Sequence, residues 1–175
     1  MDRALAELPY LPSPETVVRK ALDIAELKDD ETLVDLGCGD GRVLVIAARY
    51  YGAFAVGVEL NPLLVKLAQR ECRLAGVESR TEIVAADLFT FDVSPFDVIY
   101  VYPSPSITRR LEFKLQVECK QGCRVILHDH PLPSVEPLTV VSIPSGRMHV
   151  HELYFYVAGK SWKVRRERVL KVRRE

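Results

Sequence analysis

The sequence predicts an α/β fold whose sheet is mostly parallel and closes with a C-terminal antiparallel hairpin. Three observations lead there. From residue 32 to residue 127, short apolar runs alternate with segments of helical period, the order that builds a parallel sheet by successive crossovers. A glycine-rich turn joins the first of these strands to the helix after it. Beyond residue 127 the alternation stops, and 138–143 and 148–157 read as strands joined by Pro144-Ser145-Gly146-Arg147, a hairpin signal.

The 175 residues, 48% of them hydrophobic, suit one packed domain over 1–159. Within it, 1–28 form a leader and a first helix. The leader is punctuated by proline through Pro9, Pro12 and Pro14, with Ser13 placed to cap the helix and Pro14 at its first position. Val17, Val18, Ala21, Leu22, Ile24 and Ala25 give that helix one apolar face. Strand one is 32–36, followed by a helix over 42–51 and a second strand over 53–58. Asn61-Pro62 caps the next helix, which Gly76 stops. The third strand lies near 81–85 and the fourth near 96–102. A helix over 108–118 leads through Gly122 into a fifth strand at 124–127.

Charge is balanced overall but unevenly placed. Residues 160–175 hold eight Lys or Arg against Glu167 and Glu175, a basic tail on an acidic body. An acidic body attracts basic substrates, and a basic tail attracts acids such as RNA. No apolar run reaches the length of a membrane span, and the first residues lack the apolar core of a signal peptide. A cytoplasmic protein with no membrane partner is expected. None of Cys38, Cys72, Cys119 and Cys123 makes a C-x-x-C pair, and His128-Asp129-His130 has no matching ligand set, so no metal site is expected. Cys119 and Cys123 flank a turn, where a disulfide would require a permissive compartment or a hyperthermophilic origin.

The chemistry concentrates in Val34-Asp35-Leu36-Gly37-Cys38-Gly39-Asp40-Gly41-Arg42, a strand, a glycine turn and a helix start. Glycines let a ligand approach the backbone, and the helix start offers unpaired N–H donors. A dinucleotide fingerprint would need its third glycine at position 42, which is Arg42, and a P-loop would need Gly-Lys-Ser/Thr. Asp35 would repel a pyrophosphate but suits a ligand with an ammonium and a sulfonium, S-adenosylmethionine (SAM). Two further strands end in acids, Val56-Gly57-Val58-Glu59 and Ala85-Ala86-Asp87-Leu88, with Glu59 22 residues beyond Gly37, where an acid can hold ribose hydroxyls. Each acid alone could cap a helix or a turn; three at successive strand ends point to one ligand.

These motifs, D-x-G-x-G-x-G and the two later acids in order, resemble those of class I SAM-dependent methyltransferases, which have a Rossmann-like sheet. Within that group, Pro9-Tyr10-Leu11-Pro12-Ser13-Pro14-Glu15 before the glycine loop, together with Gly57-Val58-Glu59-Leu60-Asn61 and Leu153-Tyr154-Phe155-Tyr156-Val157, resembles the small archaeal protein-lysine methyltransferases. The likeness covers most of 8–158. It implies that Tyr10 and the Pro12-Ser13 segment fold over the cofactor, that Asp35, Gly37 and Gly39 hold its methionine part, Glu59 its ribose and Asp87 its adenine. Cys38, Asp40, Leu60, Asn61 and Leu88 complete the expected cofactor set. Tyr10 could alternatively staple the leader onto the first helix.

For the acceptor, Tyr102-Pro103-Ser104-Pro105 departs from the Asp/Asn-Pro-Pro-Tyr of enzymes that methylate base amines or glutamine. Tyr10, Tyr102 and His128 are the expected acceptor-orienting residues, with Tyr100 and Asp129 beside them at the ends of strands four and five. The resemblance implies a protein-lysine N-methyltransferase acting, as a monomer, on proteins with exposed lysines. RNA or small-metabolite methylation is the alternative, RNA being reached through the basic tail. A non-catalytic SAM-binding regulator is the third reading.

Overall fold

The computed structural model describes residues 12–145 and 149–164. Tyr10, most of the 160–175 tail and the tip of the expected hairpin lie outside these residues. Seven strands form one sheet: β1 (Thr32–Leu36), β2 (Phe54–Glu59), β3 (Thr81–Ala85), β4 (Val98–Val101), β5 (Arg124–His128), β6 (Thr139–Ser145) and β7 (His149–Val157). Their order is β3-β2-β1-β4-β5-β7-β6. The first five are parallel, whereas β7 runs antiparallel between β5 and β6. This is the mixed, Rossmann-like sheet that the sequence predicts.

The central strands β1, β4 and β5 are buried on both faces, which is why they read as unbroken apolar runs rather than as alternations. In β1, Leu33 joins the core layer beneath helices α1 (Glu15–Ile24), α2 (Arg42–Tyr51) and α3 (Pro62–Leu74), while Val34 and Leu36 face the layer under α4 (Thr108–Glu118). The period of two places Asp35 on the same face as Leu33. Edge strands β3 and β6 are more exposed, and β6 carries Pro144 where a missing N–H costs least. The expected hairpin turn is thus narrower than the sequence suggests, since Pro144 and Ser145 still pair with Val150 and His149.

Two local features fix the glycine turn. Gly41, at φ 78°, is the N-cap of α2, and a Cβ there would lie 3.0 Å from the Cβ of Ala68 in α3. Gly57 in β2 lets Cys38 sit directly against the strand, because a Cβ would come within 2.6 Å of the Cys38 Sγ and 2.9 Å of Leu44 Cδ2. The Gly37 and Cys38 N–H groups both donate to the Val58 carbonyl, pinning the turn to β2. Asn61 caps α3 as expected, its Oδ1 accepting the Leu63 N–H, with Pro62 at the first helical position.

Ser13 does not cap α1. Pro14 is the N-cap residue, with no side-chain bond, and the Ser13 hydroxyl is engaged elsewhere. The four cysteines are all free and buried, Cys119 and Cys123 included.

Candidate active site

A cleft of about 270 Å³ opens at the carboxyl ends of the strands, beside β1 and β4, where the parallel order reverses. Apart from Tyr10, every residue of the expected cofactor set lines it, and so does Tyr102. Ligands of open α/β sheets bind at this position because helix N-termini and strand-end loops converge there.

Asp35 is 3% exposed, and among the described residues no donor bonds its carboxylate. Burial, and then the neighbouring charges of Glu59 and Asp40, hold its pKa well above the usual carboxylate value. A buried acid left in this condition at the wall of a cleft is stabilised by a cation placed there. Glu59 is held differently. Its Oε2 accepts the Gly39 N–H at 3.0 Å, and its Oε1 accepts the N–H groups of Leu60 and Asn61 at 2.9 and 2.8 Å. A carboxylate offers about four acceptor positions, so these three bonds fix the side chain and leave room for a ligand hydroxyl. Asp87, past the end of β3, accepts the Phe89 N–H at 2.8 Å and lines the cleft beside Ala86 and Leu88.

Asp40 lines the cleft, but its carboxylate is paired with Arg42 at 2.6 Å. Arg42 also donates to the Ser13 carbonyl at 3.0 Å, strapping the leader across the glycine turn. Sequence spacing does not reveal this role, because the contact joins residues 29 apart through the fold.

At the acceptor end, Tyr102 stacks on His128 with ring centroids 3.9 Å apart and donates its hydroxyl to Asp129 Oδ2 at 2.6 Å. Burial, and then this hydrogen bond to a carboxylate, push the Tyr102 phenol up, so it stays neutral. Asp129 sits at φ 60°, an unusual conformation for a residue with a Cβ, and its Oδ1 accepts the Glu152 N–H. Burial works against its charge, but the Tyr102 hydroxyl and the Glu152 N–H together hold its pKa below the usual value.

His128, expected to orient the acceptor, has no exposed surface and lies behind the cleft wall rather than on it. Its Nδ1 lies 3.0 Å from both the Ser13 Oγ and the Tyr100 hydroxyl, which are themselves 2.8 Å apart. Burial brings His128 down to about 4, so the ring is neutral at physiological pH. It positions Ser13, Tyr100 and Tyr102 from behind. On its other side, Nε2 is 2.9 Å from His151 Nδ1. His128, Asp129 and His151 therefore bring together a set of metal-ligand types, where the sequence suggested none. The missing member lay 23 residues away on β7, out of reach of any local spacing rule.

Residues 35–139 match the ANTKMT methyltransferase domain. The chain is 36% identical over 154 residues to a protein-lysine N-methyltransferase of Saccharolobus islandicus, covering 87% of this chain and 95% of that protein. It is 31% identical over 148 residues to the adenine nucleotide translocase lysine N-methyltransferase of Mus musculus, covering 85% of this chain but only 64% of that longer protein. A solved structure described as an RNA methyltransferase from Salinibacter ruber, in complex with S-adenosyl-L-homocysteine, superposes with a TM-score of 0.79 at 34% identity, covering 84% of this chain and 93% of that one.

Proposed function

The chain belongs to the ANTKMT methyltransferase domain family, and from that premise we propose that it transfers a methyl group from SAM to the side-chain amine of lysines in protein substrates. The observation that carries the reading is Asp35, a buried carboxylate with no donor among the described residues, on the wall of a cleft at the sheet's reversal point. It is the partner an α-ammonium group requires. Glu59, fixed by three backbone N–H groups, would hold the ribose, and Asp87 with Leu88 the adenine. Gly37, Cys38 and Gly39 would pass under the methionine part, with Leu60 and Asn61 flanking the ribose. The lysine acceptor is supported by the archaeal relative, which the chain matches over 95% of its length.

Bound SAM supplies a methyl already activated by its sulfonium, so the protein's work is orientation rather than activation. Tyr102 lines the cleft as a neutral phenol whose hydrogen is committed to Asp129, leaving its oxygen able to accept from an amine. A lysine amine has a free pKa of about 10.4 and must shed a proton before it can attack. Burial against Tyr102, Pro103 and Ile107 penalises the ammonium form and favours that loss. Tyr102 does not need to act as a base. Tyr10, Ser13 and Arg42 would complete the site as a leader strap, Ser13 through the carbonyl held by Arg42. The expected domain end at 159 falls short, because Trp162 is buried against Tyr156 and Ala158 with Val164 beside it; only the rest of the basic 160–175 segment would lie outside the catalytic domain.

A second reading has one specific observation behind it, the Salinibacter ruber structure and its RNA description. One experiment separates the two. The purified protein is incubated with methyl-labelled SAM and, separately, with cellular protein, RNA and small-molecule fractions, with Asp35→Ala as the control. Label is expected on lysine in the protein fraction and absent in the control. Label confined to RNA would replace the lysine assignment with RNA methylation.

A further inference from the structure

All four histidines of the chain belong to β7 and to the end of β5 with the turn that follows it. Three of them are in ring contact: His128 and His151 have centroids 4.8 Å apart, and His149 and His151 4.3 Å. The catalytic reading uses His128 only as a support and leaves the rest of this concentration unexplained.

We propose that His128 Nε2, Asp129 Oδ2 and His151 Nδ1 form a binding site for a divalent transition metal of the zinc class, with water as the fourth ligand. The three atoms make a triangle with sides of 2.9, 3.3 and 3.6 Å. Ligand atoms each about 2.0–2.2 Å from a tetrahedral metal stand about 3.3–3.5 Å apart, so small adjustments bring all three into coordination. His149 Nε2 lies 3.3 Å from His151 Nδ1, and His149 is exposed, which gives an ion a route in from solvent. Imidazoles with one carboxylate favour Zn²⁺, Co²⁺ or Ni²⁺ over Mg²⁺ or Ca²⁺.

The surroundings are those of a supported ligand set. His128 Nδ1 is occupied by Ser13 and Tyr100, the arrangement that directs the other nitrogen's lone pair toward a metal. Asp129 is fixed by the Tyr102 hydroxyl and the Glu152 N–H, at a backbone conformation that the surrounding structure must enforce. With the single hydrogen of His128 on Nδ1, facing Ser13 and Tyr100, the bond to His151 is made by the His151 Nδ1–H donating to His128 Nε2. On binding, that His151 hydrogen moves by tautomer exchange to its own Nε2, and the lone pairs of His128 Nε2 and His151 Nδ1 coordinate the ion. Because the same groups touch Tyr102 and Ser13, occupancy would lock the acceptor wall and the leader together.

The test uses the full chain, stripped with chelator and titrated with Co²⁺, then Zn²⁺. One equivalent of Co²⁺ is expected to give the intense visible bands of a four-coordinate nitrogen and oxygen site. Zn²⁺ should displace it and raise the thermal midpoint. Asp129→Asn, which keeps the shape and a carbonyl acceptor, and His151→Gln should each weaken binding at least tenfold, while His130→Gln leaves it unchanged. Circular dichroism matching the parent chain shows that these variants fold. No visible bands at one equivalent, a near-ultraviolet thiolate-to-cobalt band, or binding that survives both Asp129→Asn and His151→Gln would overturn the proposal.

Discussion

Asp35 is protonated more readily than an ordinary acid because burial, Glu59 and Asp40 all disfavour its charge. The other titratable groups that feel it, Cys38 and Tyr100, are themselves pushed toward their neutral forms. A cationic ligand in the cleft reverses the balance and lowers the Asp35 pKa. SAM binding should therefore release a proton, and affinity should rise with pH until Asp35 is ionised in the free protein. Calorimetry in buffers of different ionisation enthalpy reads the proton directly, and Asp35→Asn should abolish the release while weakening binding at least tenfold. A second residue-scale outcome concerns Tyr102: changing it to Phe removes the donor to Asp129, and kcat is expected to fall about 10- to 100-fold, in line with the loss of an orienting contact, with SAM affinity nearly unchanged. The three acids and the glycines of this site were legible in the sequence because each stands at a strand end or within one short turn. Arg42 on the Ser13 carbonyl, Ser13 on Tyr100 and His128, and His151 on Asp129 were not. Those contacts join segments that only the folded sheet brings together.

Between elements, the clearest constraint is the seating of the glycine turn on β2. Gly57→Ala would drive a methyl into Cys38 Sγ and Leu44, and overpacking of this kind costs about 1–3 kcal/mol, visible as a fall of several degrees in the thermal midpoint. At the other end of the strands, Asp97 ties three elements together. Its Oδ2 accepts the Thr32 N–H and hydroxyl at the start of β1, its Oδ1 pairs with Lys120 after α4, and its carbonyl accepts the Arg124 N–H of β5. Burial opposes the Asp97 charge, yet Lys120 and Thr32 together hold its pKa below the usual carboxylate value. A lowered folded-state pKa stabilises the fold above the unfolded value and loses that contribution as pH falls through the folded value. Acid unfolding of Asp97→Asn should accordingly show a shallower loss of stability below about pH 4 than the parent chain, the unfolded carboxyl titrating near 3.9. Helices α2 and α4 and strand β1 fall where periodicity places them. The start of α1 and the hairpin turn differ from expectation because Pro14 supplies its own fixed φ and because an edge strand tolerates Pro144.

Across the whole molecule, the acidic body should draw cationic substrates, and turnover on a lysine-rich protein should weaken as salt rises, read as an increase in KM with kcat little changed. The strand order carries a further consequence, for synthesis rather than catalysis. The partner of β5 is not the next strand made but the last one, β7, which turns back to slot between β5 and β6. While the chain is being made, β5, an apolar strand that is almost wholly buried in the finished protein, waits with an open edge until residue 157 is available. A chain cut after residue 145 would keep the glycine turn and the three strand-end acids of the cleft, yet present that edge to any neighbouring strand. It should aggregate rather than bind ligand.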